Sequence, residues 1–240
     1  IFGRNTERQI DSLWVYLNEL EQTRLPEGLE KKGGFELKPD KRPIVFRTFM
    51  EGAGTHAIAI GFPVGIHAAF DSEAVGWTTL WRGKFLDAES TWDDRFTPLA
   101  KPLGTDIIQL PTGPAVGRLQ EGKPWPEGGL LFRGFRLAKD GTPTLLYRHG
   151  KTDITDTLFP KDDGFRRRME FSAGEGKLWV RLALANEFFT SERGVWIGAN
   201  KLTLIAPTAR VRTINGKAEL IAPIDLKIND NTVLEVQLSW

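Results

Sequence analysis

Carboxylates and tryptophans are concentrated in residues 70–104, and this combination of side chains suits carbohydrate chemistry. The segment TWDDR places Asp93 and Asp94 directly after Trp92. Glycoside hydrolysis uses two carboxyl groups about 5 to 9 Å apart, and an aromatic ring beside them can hold a sugar. Adjacent residues of an extended chain point to opposite sides, so another strand must supply the partner of Asp93 or Asp94. A catalytic interpretation takes Asp71, Asp93 or Asp94 as the acid–base groups.

A structural interpretation of the same segment is a loop closed by ion pairs. Asp93 or Asp94 then caps the loop and pairs with Arg82 or Arg95. Carboxylates beside arginines are common on protein surfaces, whereas catalytic pairs are rare and need perturbed environments. The ion-paired loop is therefore favoured, and the catalytic interpretation remains the alternative.

Several tryptophans are candidates for stacking on a ligand. Trp77 and Trp81 are four residues apart, so strand alternation predicts that they share one face and fill the core. Trp92 and Trp125 lie among polar or proline residues, in TWDDR and KPWPEGG, where a loop can expose an indole face. In the catalytic alternative, Trp81 or Trp92 is the sugar platform. The predicted ligand-binding residues are Trp81, Arg82, Trp92, Arg95 and Trp125.

The three histidines, His56, His67 and His149, are the candidates for metal binding. His56 and His67 lie on neighbouring predicted strands, and Asp71 or Asp153 could complete a metal shell. No HxH or HExxH spacing supports this site. A structural, hydrogen-bonded role is the more common one for isolated histidines, so metal binding by His56 and His67 is the weaker alternative.

Other chemistries lack their motifs. The 240 residues contain no cysteine, which excludes thiolate zinc sites, cysteine nucleophiles and a covalent CxxCH haem site within the chain. Neither a GxSxG nucleophile elbow nor a GxxxxGK[ST] phosphate loop occurs. A net charge of +1 supplies no field for nucleic acid, and alternation sends Arg167 to the face opposite Arg166 and Arg168. No apolar run is long enough to span a membrane.

The elements that position these residues are mostly strands. From Pro43 onward, short runs of β-branched and aromatic residues alternate with turn residues. Turns such as KDG (139–141) and NG (215–216) favour tight hairpins. Many short strands with tight turns predict a mainly β fold, with antiparallel sheets packed as a β-sandwich over 44–240. A sandwich of this size is similar in architecture to super-sandwich and galactose-mutarotase-like domains.

One amphipathic helix is predicted at the N-terminus, over residues 1–25. Thr6 and Gln9 have capping-box spacing, and Leu25-Pro26 ends the helix. A stripe on such a short helix needs a packing partner. Residues 26–43 are rich in Pro, Gly and Lys and are predicted to be a linker. The apolar residues at helical spacing are Ile10, Leu13, Trp14, Leu17 and Leu20.

The segment IFGRNTERQIDSLWVYLNEL resembles the C-terminal helix of a class I c-type cytochrome domain, with Phe2-Gly3 and Tyr16-Leu17 as the matching positions. The rest of the chain resembles the β-rich region that follows such a cytochrome in large multidomain secreted cytochrome proteins of bacteria. The segments that carry this second resemblance are AIAIGFPVGIHAAFD (57–71), LWRGKFLD (80–87), AKPLG (100–104) and LLFRGFRLAKDGTPTLLYR (130–148).

This resemblance implies that residues 1–25 are the remnant of a preceding cytochrome-like domain and that haem c is bound upstream. It also implies a periplasmic or secreted location and a cytochrome domain or other protein subunit as partner. The CxxCH motif and the axial methionine of such cytochromes are absent here, so no haem-binding residue carries over to this chain.

Three functions follow as hypotheses. The first is a non-catalytic accessory β-sandwich that binds a partner domain or a carbohydrate in an electron-transfer context. The second is a carbohydrate-active enzyme of the super-sandwich type: a glycoside hydrolase, lyase or epimerase. The third is a structural subunit of a large assembly, for which exposed apolar patches would be the sign.

Overall fold

The structure is a computed structural model that describes residues 34–93, 95–192 and 194–240, together with Ile10, Trp14 and Val15. The chain divides into two units, Ile1–Gly34 and Phe35–Trp240, and the fold described below is that of the second. The predicted helix over 1–25 lies outside the described residues except for those three isolated positions, which have helical backbone. The predicted linker is described only from residue 34 onward.

Strands dominate the described part of the chain, and no helix in it is long and apolar enough to cross a bilayer. The one helix assigned between residues 34 and 240 is the short α1 (Glu89–Trp92). The strands are β1 (Glu36–Leu37), β2 (Ile44–Met50), β3 (Gly54–Gly61), β4 (Ile66–Asp71), β5 (Gly76–Arg82), β6 (Leu86–Asp87), β7 (Thr105–Gln109), β8 (Val116–Gly117), β9 (Leu130–Leu137), β10 (Pro143–His149), β11 (Thr152–Lys161), β12 (Gly164–Phe171), β13 (Lys177–Ala185), β14 (Phe188–Glu192), β15 (Val195–Gly198), β16 (Thr203–Ile205), β17 (Arg210–Ile214), β18 (Lys217–Asp225) and β19 (Thr232–Ser239).

These strands form two facing layers. One layer is an eight-stranded sheet in the order β14-β15-β16-β19-β12-β11-β10-β9. Facing it lie a five-stranded sheet, β2-β3-β4-β5-β7, and a four-stranded sheet, β17-β18-β13-β8. The pairings within the three sheets are antiparallel. The predicted antiparallel β-sandwich is therefore confirmed.

The core lies between the layers because alternate residues of the facing strands are apolar. Leu145 and Tyr147 of β10 are buried in one cluster with Ile58 of β3 and with Leu178 and Val180 of β13. One apolar cluster thus joins strands of all three sheets. Strand alternation sends the intervening residues of each strand to its outer face.

The segment between β7 and β8 connects the five-stranded and four-stranded sheets. Ala115 donates its backbone N–H to the carbonyl of Val75 at 3.0 Å and accepts from the N–H of Arg181 at 2.9 Å. A Cβ atom on Gly76 would lie only 2.6 Å from the carbonyl oxygen of Gly113. Glycine is therefore required at position 76 for this close approach of two backbones.

A β-bulge in β5 reverses the alternation between its two tryptophans. Ala69 of β4 pairs with Thr79 and the next residue pairs with Trp77, which leaves Thr78 as the extra residue. Trp77 consequently lies in the core between the layers, whereas Trp81 lies in a second apolar cluster on the outer face of the five-stranded sheet. The prediction that Trp77 and Trp81 share one face is wrong, although both are buried as expected.

The second apolar cluster is covered by the β1–β6 pair. Leu86 of β6 and Phe85 are buried in it, and Leu37 of β1 packs against it. The hydroxyl groups of Thr48 on β2 and Thr91 on α1 lie 2.6 Å apart. This contact holds α1 beside the five-stranded sheet.

The connection from β8 to β9, residues 118–129, crosses the outer face of the four-stranded sheet; we call it the crossing loop. Pro126 packs against Gly117 at one end of this path. At the other end, the Arg212 guanidinium on β17 donates to the Lys123 carbonyl at 2.9 Å. The loop therefore reaches from one edge strand of this sheet to the other.

Candidate functional site

The predicted acid–base residues have separate positions. Asp71 accepts hydrogen bonds from the backbone N–H groups of Glu73 at 2.9 Å and Ala74 at 3.2 Å, and so stabilises the turn between β4 and β5. Asp93 is exposed at the end of α1. Asp94 lies outside the described residues. Asp71 therefore has a structural role, and no contact joins it to Asp93 in the part of the chain that is described.

Trp81 and Arg82 are occupied within the protein. Trp81 is fully buried, and its indole N–H donates to the carbonyl of Phe85 at 3.2 Å. The Arg82 guanidinium lies 4.6 Å from the ring centre of Trp240 and donates to the carbonyls of Trp240 and Asp163. Trp81 cannot stack on a ligand because the bulge turns it under the β1–β6 pair. Arg82 links the two layers instead of pairing with Asp93.

Trp92 is the exposed tryptophan that the sequence predicted. Its side chain is 60% exposed, and it makes edge contacts with Phe35, ring centres 6.3 Å apart, and with Phe46, ring centres 5.7 Å apart. Arg95 is also exposed, and the described residues place no carboxylate within ion-pair distance of it. The expected closure of this loop by an ion pair between Asp93 and Arg95 is not formed.

The histidines do not form a metal site. His67 is buried: its Nδ1 accepts from the N–H of Phe62 at 3.2 Å, and its Nε2 lies 2.8 Å from the Gly83 carbonyl, to which it donates. Burial lowers the pKa of His67. His56 is exposed and lies 2.9 Å from Glu73. The register separates the two histidines by five strand positions, about 17 Å.

The remaining metal-ligand candidates are likewise engaged elsewhere. Asp153 pairs with Arg148 through two hydrogen bonds of 2.6 and 3.1 Å. Across the described ranges, no three His, Asp or Glu side chains are grouped so as to hold a metal ion. The metal alternative at His56 and His67 is therefore wrong for this fold.

Trp125 leads to a different candidate site, on the outer face of the four-stranded sheet. The crossing loop places Trp125 against Trp179 and Ile221. Trp125 is only 7% exposed, and its indole N–H donates to the Pro114 carbonyl at 2.7 Å, so the prediction that a loop exposes the Trp125 indole is wrong. We call this surface the arginine–tryptophan face; it comprises the crossing loop and the outward residues of β13, β17 and β18. Those outward residues include Trp179, Arg181, Arg210, Arg212, Lys217 and Glu219.

A buried carboxylate lies at the centre of the arginine–tryptophan face. Glu219 is 5% exposed, and its Oε2 accepts from the Nε of Arg212 at 2.7 Å. The Nη2 of Arg212 lies 2.5 Å from the same oxygen without hydrogen-bond geometry. On the other side, the Nη1 of Arg181 lies 3.5 Å from Oε1. Both guanidinium groups lie near Trp125, at 5.1 and 5.8 Å from its ring centre.

The triad of Arg181, Arg212 and Glu219 carries an excess of positive charge. Burial, opposed by Glu219 and reinforced by the charge of Arg212, lowers the pKa of Arg181. The Nε of Arg181 is buried and has no hydrogen-bond partner among the described residues. Two guanidinium groups therefore share a single carboxylate, and a further anion would be attracted to this face.

A third arginine on this face has no acidic partner. The guanidinium carbon of Arg210 lies 4.3 Å from the ring centre of Trp179. The ammonium nitrogen of Lys177 lies 5.1 Å from the same ring, and it also pairs with Asp225. Stacking on an indole fixes the plane of a guanidinium and leaves its N–H edges free.

Two grooves border the crossing loop. The first groove has a volume of about 480 Å³ and is lined by loop residues 124–127 and by Arg181, Leu184, Lys217 and Glu219. The second groove has a volume of about 510 Å³ and is lined by loop residues 119–122 and by Trp179, Arg210, Arg212 and Thr213. Both are open to solvent, so they suit an extended ligand lying along the surface better than an enclosed small molecule.

The other concentration of polar groups is buried in the core. The Asp156 carboxylate is bound by Arg167 at 2.6 and 3.0 Å, by the Tyr147 hydroxyl at 2.8 Å and by the Trp77 indole at 3.1 Å. Asp156 is inaccessible to solvent and Arg167 is 5% exposed. The prediction that Arg167 lies on the face opposite Arg166 and Arg168 is confirmed. This network serves to bind the two layers together rather than to meet a substrate.

Sequence reasoning identified only Trp125 of the arginine–tryptophan face. The segments KLWVR and RVR carry the signal, because alternation places Trp179 with Arg181, and Arg210 with Arg212, on one face of each strand. Their assembly depends on the pairing of β13 and β17 with β18, which the sequence does not specify.

Comparisons with known proteins give little further guidance. No family model matches the chain, and no curated protein matches it. Among solved structures, a polysaccharide lyase aligns at 12% identity over 82% of this chain, with a TM-score of 0.31. The aligned region is 32% of the length of that protein. A similarity of this size carries no argument about fold or function.

Proposed function

We propose that this chain is a non-catalytic β-sandwich module whose arginine–tryptophan face binds a carbohydrate. The observation that carries the proposal is the pair of open grooves beside Trp125 and Trp179, with guanidinium groups on the flat outer face of a sheet. Sugar hydroxyls pair with hydrogen-bond donors and acceptors, and the grooves offer guanidinium, amide and hydroxyl groups above the two indoles, which are themselves buried as their floor. Because a rigid sheet already orders these side chains, they lose little conformational entropy when a ligand binds, which favours affinity.

The roles of the carboxylates support binding rather than catalysis. Asp71 is used in a turn, and both oxygens of Glu219 are engaged by arginines. A glycosidase mechanism needs one carboxyl group to exchange a proton with the sugar and a second to act on the opposite side. Neither Asp71 nor Glu219 is free for such exchange.

The cellular context is a further part of the proposal, and it comes from the resemblance to cytochrome-associated regions. The module belongs to a longer periplasmic or secreted protein with haem c in an upstream domain. The gene-encoded sequence before Ile1 tests this directly. A CxxCH motif there supports the electron-transfer context, and a long upstream sequence without one contradicts it.

A protein partner is a second candidate function, favoured by one observation. Trp92 leaves 60% of its side chain exposed on an aromatic surface with Phe35 and Phe46. Exposed aromatic surfaces are frequent at protein interfaces. A partner domain such as a cytochrome, or a neighbouring subunit of an assembly, would then bury Trp92. Loss of a co-purifying partner in Trp92→Ser, with carbohydrate binding unchanged, supports this second function.

Affinity electrophoresis tests carbohydrate binding. The 240-residue chain is run through native gels containing single neutral or acidic polysaccharides, and retardation reports binding. Retardation by at least one polysaccharide, without release of reducing ends or unsaturated sugars on incubation, is expected. Product release would contradict the non-catalytic assignment, and the absence of retardation by every polysaccharide would contradict binding.

Two substitutions to tryptophan locate the carbohydrate-binding surface. Thr213→Trp fills part of the second groove and is expected to reduce retardation. Leu137→Trp is the matched control, because Leu137 is 56% exposed on β9, an edge strand of the other layer. Equal retardation of both variants and the parent chain would place the binding surface elsewhere.

A further inference from the structure

The charged residues that line the two grooves carry an excess of one positive charge: the cations are Arg181, Arg210, Arg212 and Lys217, and the carboxylates are Glu121, Glu127 and Glu219. Arg181 and Arg212 share Glu219, whereas Arg210 and Lys217 have no ion pair or side-chain hydrogen bond to any described residue. Arg210 is exposed in the second groove and Lys217 is exposed in the first. Each groove therefore presents one cation whose hydrogen-bonding capacity is unused.

Arg210 is already held in a geometry suited to a carboxylate. Its guanidinium is stacked 4.3 Å from the ring centre of Trp179, so its plane is fixed while its N–H edges face solvent. A planar guanidinium with free edges forms two parallel hydrogen bonds to a carboxylate. The stacking reduces the entropy that the side chain loses when it binds.

Lys217 supplies a second binding group for an anion, and its distance from Arg210 favours a polymer over a small ligand. Arg210 lies opposite Ile221 of β18, and Lys217 is four residues before Ile221 on the same strand. Four strand residues span about 13 Å. A small anion reaches only one of these cations, whereas a chain with repeated carboxylates reaches both.

The grooves also carry groups for ligand hydroxyls beside each cation. Gln120 and Thr213 line the second groove, and Thr112 and Asn215 line the first. Amide and hydroxyl groups can both donate to and accept from a sugar hydroxyl. This combination favours an acidic sugar over a ligand that is only a repeated charge.

We infer that the two grooves bind a polysaccharide of uronic acids. Arg210 binds a carboxylate of the polymer in the second groove, and Lys217 binds another carboxylate in the first. This inference rests on the proposed function, since it names the class of carbohydrate taken by the same face.

The test compares one polymer in two charge states. Binding of the 240-residue chain to polygalacturonate and to the same polymer with its carboxyl groups methyl-esterified is measured by isothermal titration calorimetry. Arg210→Gln and Lys217→Gln are the test variants. Arg136→Gln is the matched control, because Arg136 is an exposed arginine on the edge strand β9 with no ion pair to a described residue. Thermal unfolding confirms that the variants remain folded.

Polygalacturonate is expected to bind at least tenfold more tightly than its methyl ester. The Arg210→Gln variant is expected to bind polygalacturonate about tenfold more weakly than the parent chain. Arg136→Gln is expected to bind like the parent chain. Equal binding of both polymers would overturn the inference and leave the proposed function standing. Binding of neither of them, nor of any neutral polysaccharide, would overturn both. Polyaspartate or dextran sulfate binding as tightly as polygalacturonate would also overturn the inference, since charge alone would then suffice.

Discussion

At the scale of single residues, the most consequential group is the buried Asp156 carboxylate. It lies between layers, bound by Arg167 and Tyr147 from the eight-stranded sheet and by Trp77 from the five-stranded sheet. Burial and the charge of Asp156 raise the pKa of Tyr147, so the phenol keeps its proton and donates. A buried ion pair contributes little net free energy, but breaking it leaves an uncompensated charge.

Neighbouring arginines on β12 allow a matched test of this argument. Arg167→Met is expected to lower the free energy of unfolding by about 3 to 5 kcal/mol, because Asp156 stays buried without its cation. Arg166→Met removes an exposed arginine that pairs with Glu235 at 3.3 Å and should cost less than about 1 kcal/mol. Urea denaturation measures both. Equal losses of unfolding free energy in the two variants would show that the buried Arg167–Asp156 pair matters no more to stability than an exposed pair.

One buried and one partly buried histidine, His67 and His149, predict a dependence of stability on pH. Burial lowers the pKa of His67, and burial together with the charge of Arg118 lowers that of His149. Between the lowered values and about 6.5, the unfolded chain binds more protons than the folded chain. The free energy of unfolding should therefore be largest above about pH 6.5 and decrease as the pH falls below it.

The change His67→Gln tests this linkage. The variant should be less stable at pH 7, because the ring between Trp81 and Phe85 is lost, and its stability should fall less steeply between about pH 7 and 5. Urea denaturation at several pH values gives both quantities. The carboxyl groups with lowered pKa, Asp140 and Asp153, add their own loss only below about pH 4. An unchanged slope would mean that His67 does not contribute.

At the scale of elements, the strands were predictable and their irregularities were not. Alternation and turn residues sufficed to predict a mainly antiparallel β-sandwich, and alternation within FRRR placed Arg167 on the face opposite Arg166 and Arg168, although its burial was not predicted. The bulge at Thr78 has no signature in GWTTLWR, because the extra residue is defined by the partner strand β4. The same limit applies to the candidate site, where Arg181, Arg212 and Glu219 meet only through the pairing of three strands.

The junction between the five-stranded and four-stranded sheets should tolerate no side chain at position 76. Gly76→Ala places a methyl group 2.6 Å from the Gly113 carbonyl oxygen, and the backbone must move to admit it. A loss of about 1 to 3 kcal/mol is expected, measured by chemical denaturation. Gly128→Ala is the control, since a Cβ there meets nothing within 4 Å. Similar stability of the two variants would argue against close packing of this junction.

At the scale of the whole molecule, a net charge of +1 conceals an uneven distribution of charges. On the outer face of the eight-stranded sheet, Arg166 and Arg168 both pair with Glu235. On the arginine–tryptophan face, Arg210 and Lys217 have no such partner. The unpaired cations of this face attract an anionic polymer locally, while the molecule as a whole has no strong field to capture nucleic acid.

The dependence of polymer binding on salt follows from this local charge. Each cation that neutralises a polymer charge releases a counterion, so the slope of log K against log salt reports how many cations take part. Removing one such contact should reduce the slope by about one unit. Arg210→Gln is therefore expected to give a shallower slope than the parent chain with polygalacturonate, measured by titration at several salt concentrations. Arg136→Gln should leave the slope unchanged, because its charge lies on the other layer. An equal decrease of the slope in both variants would mean that binding depends only on the overall charge of the protein. The arginine–tryptophan face would then not be the binding surface.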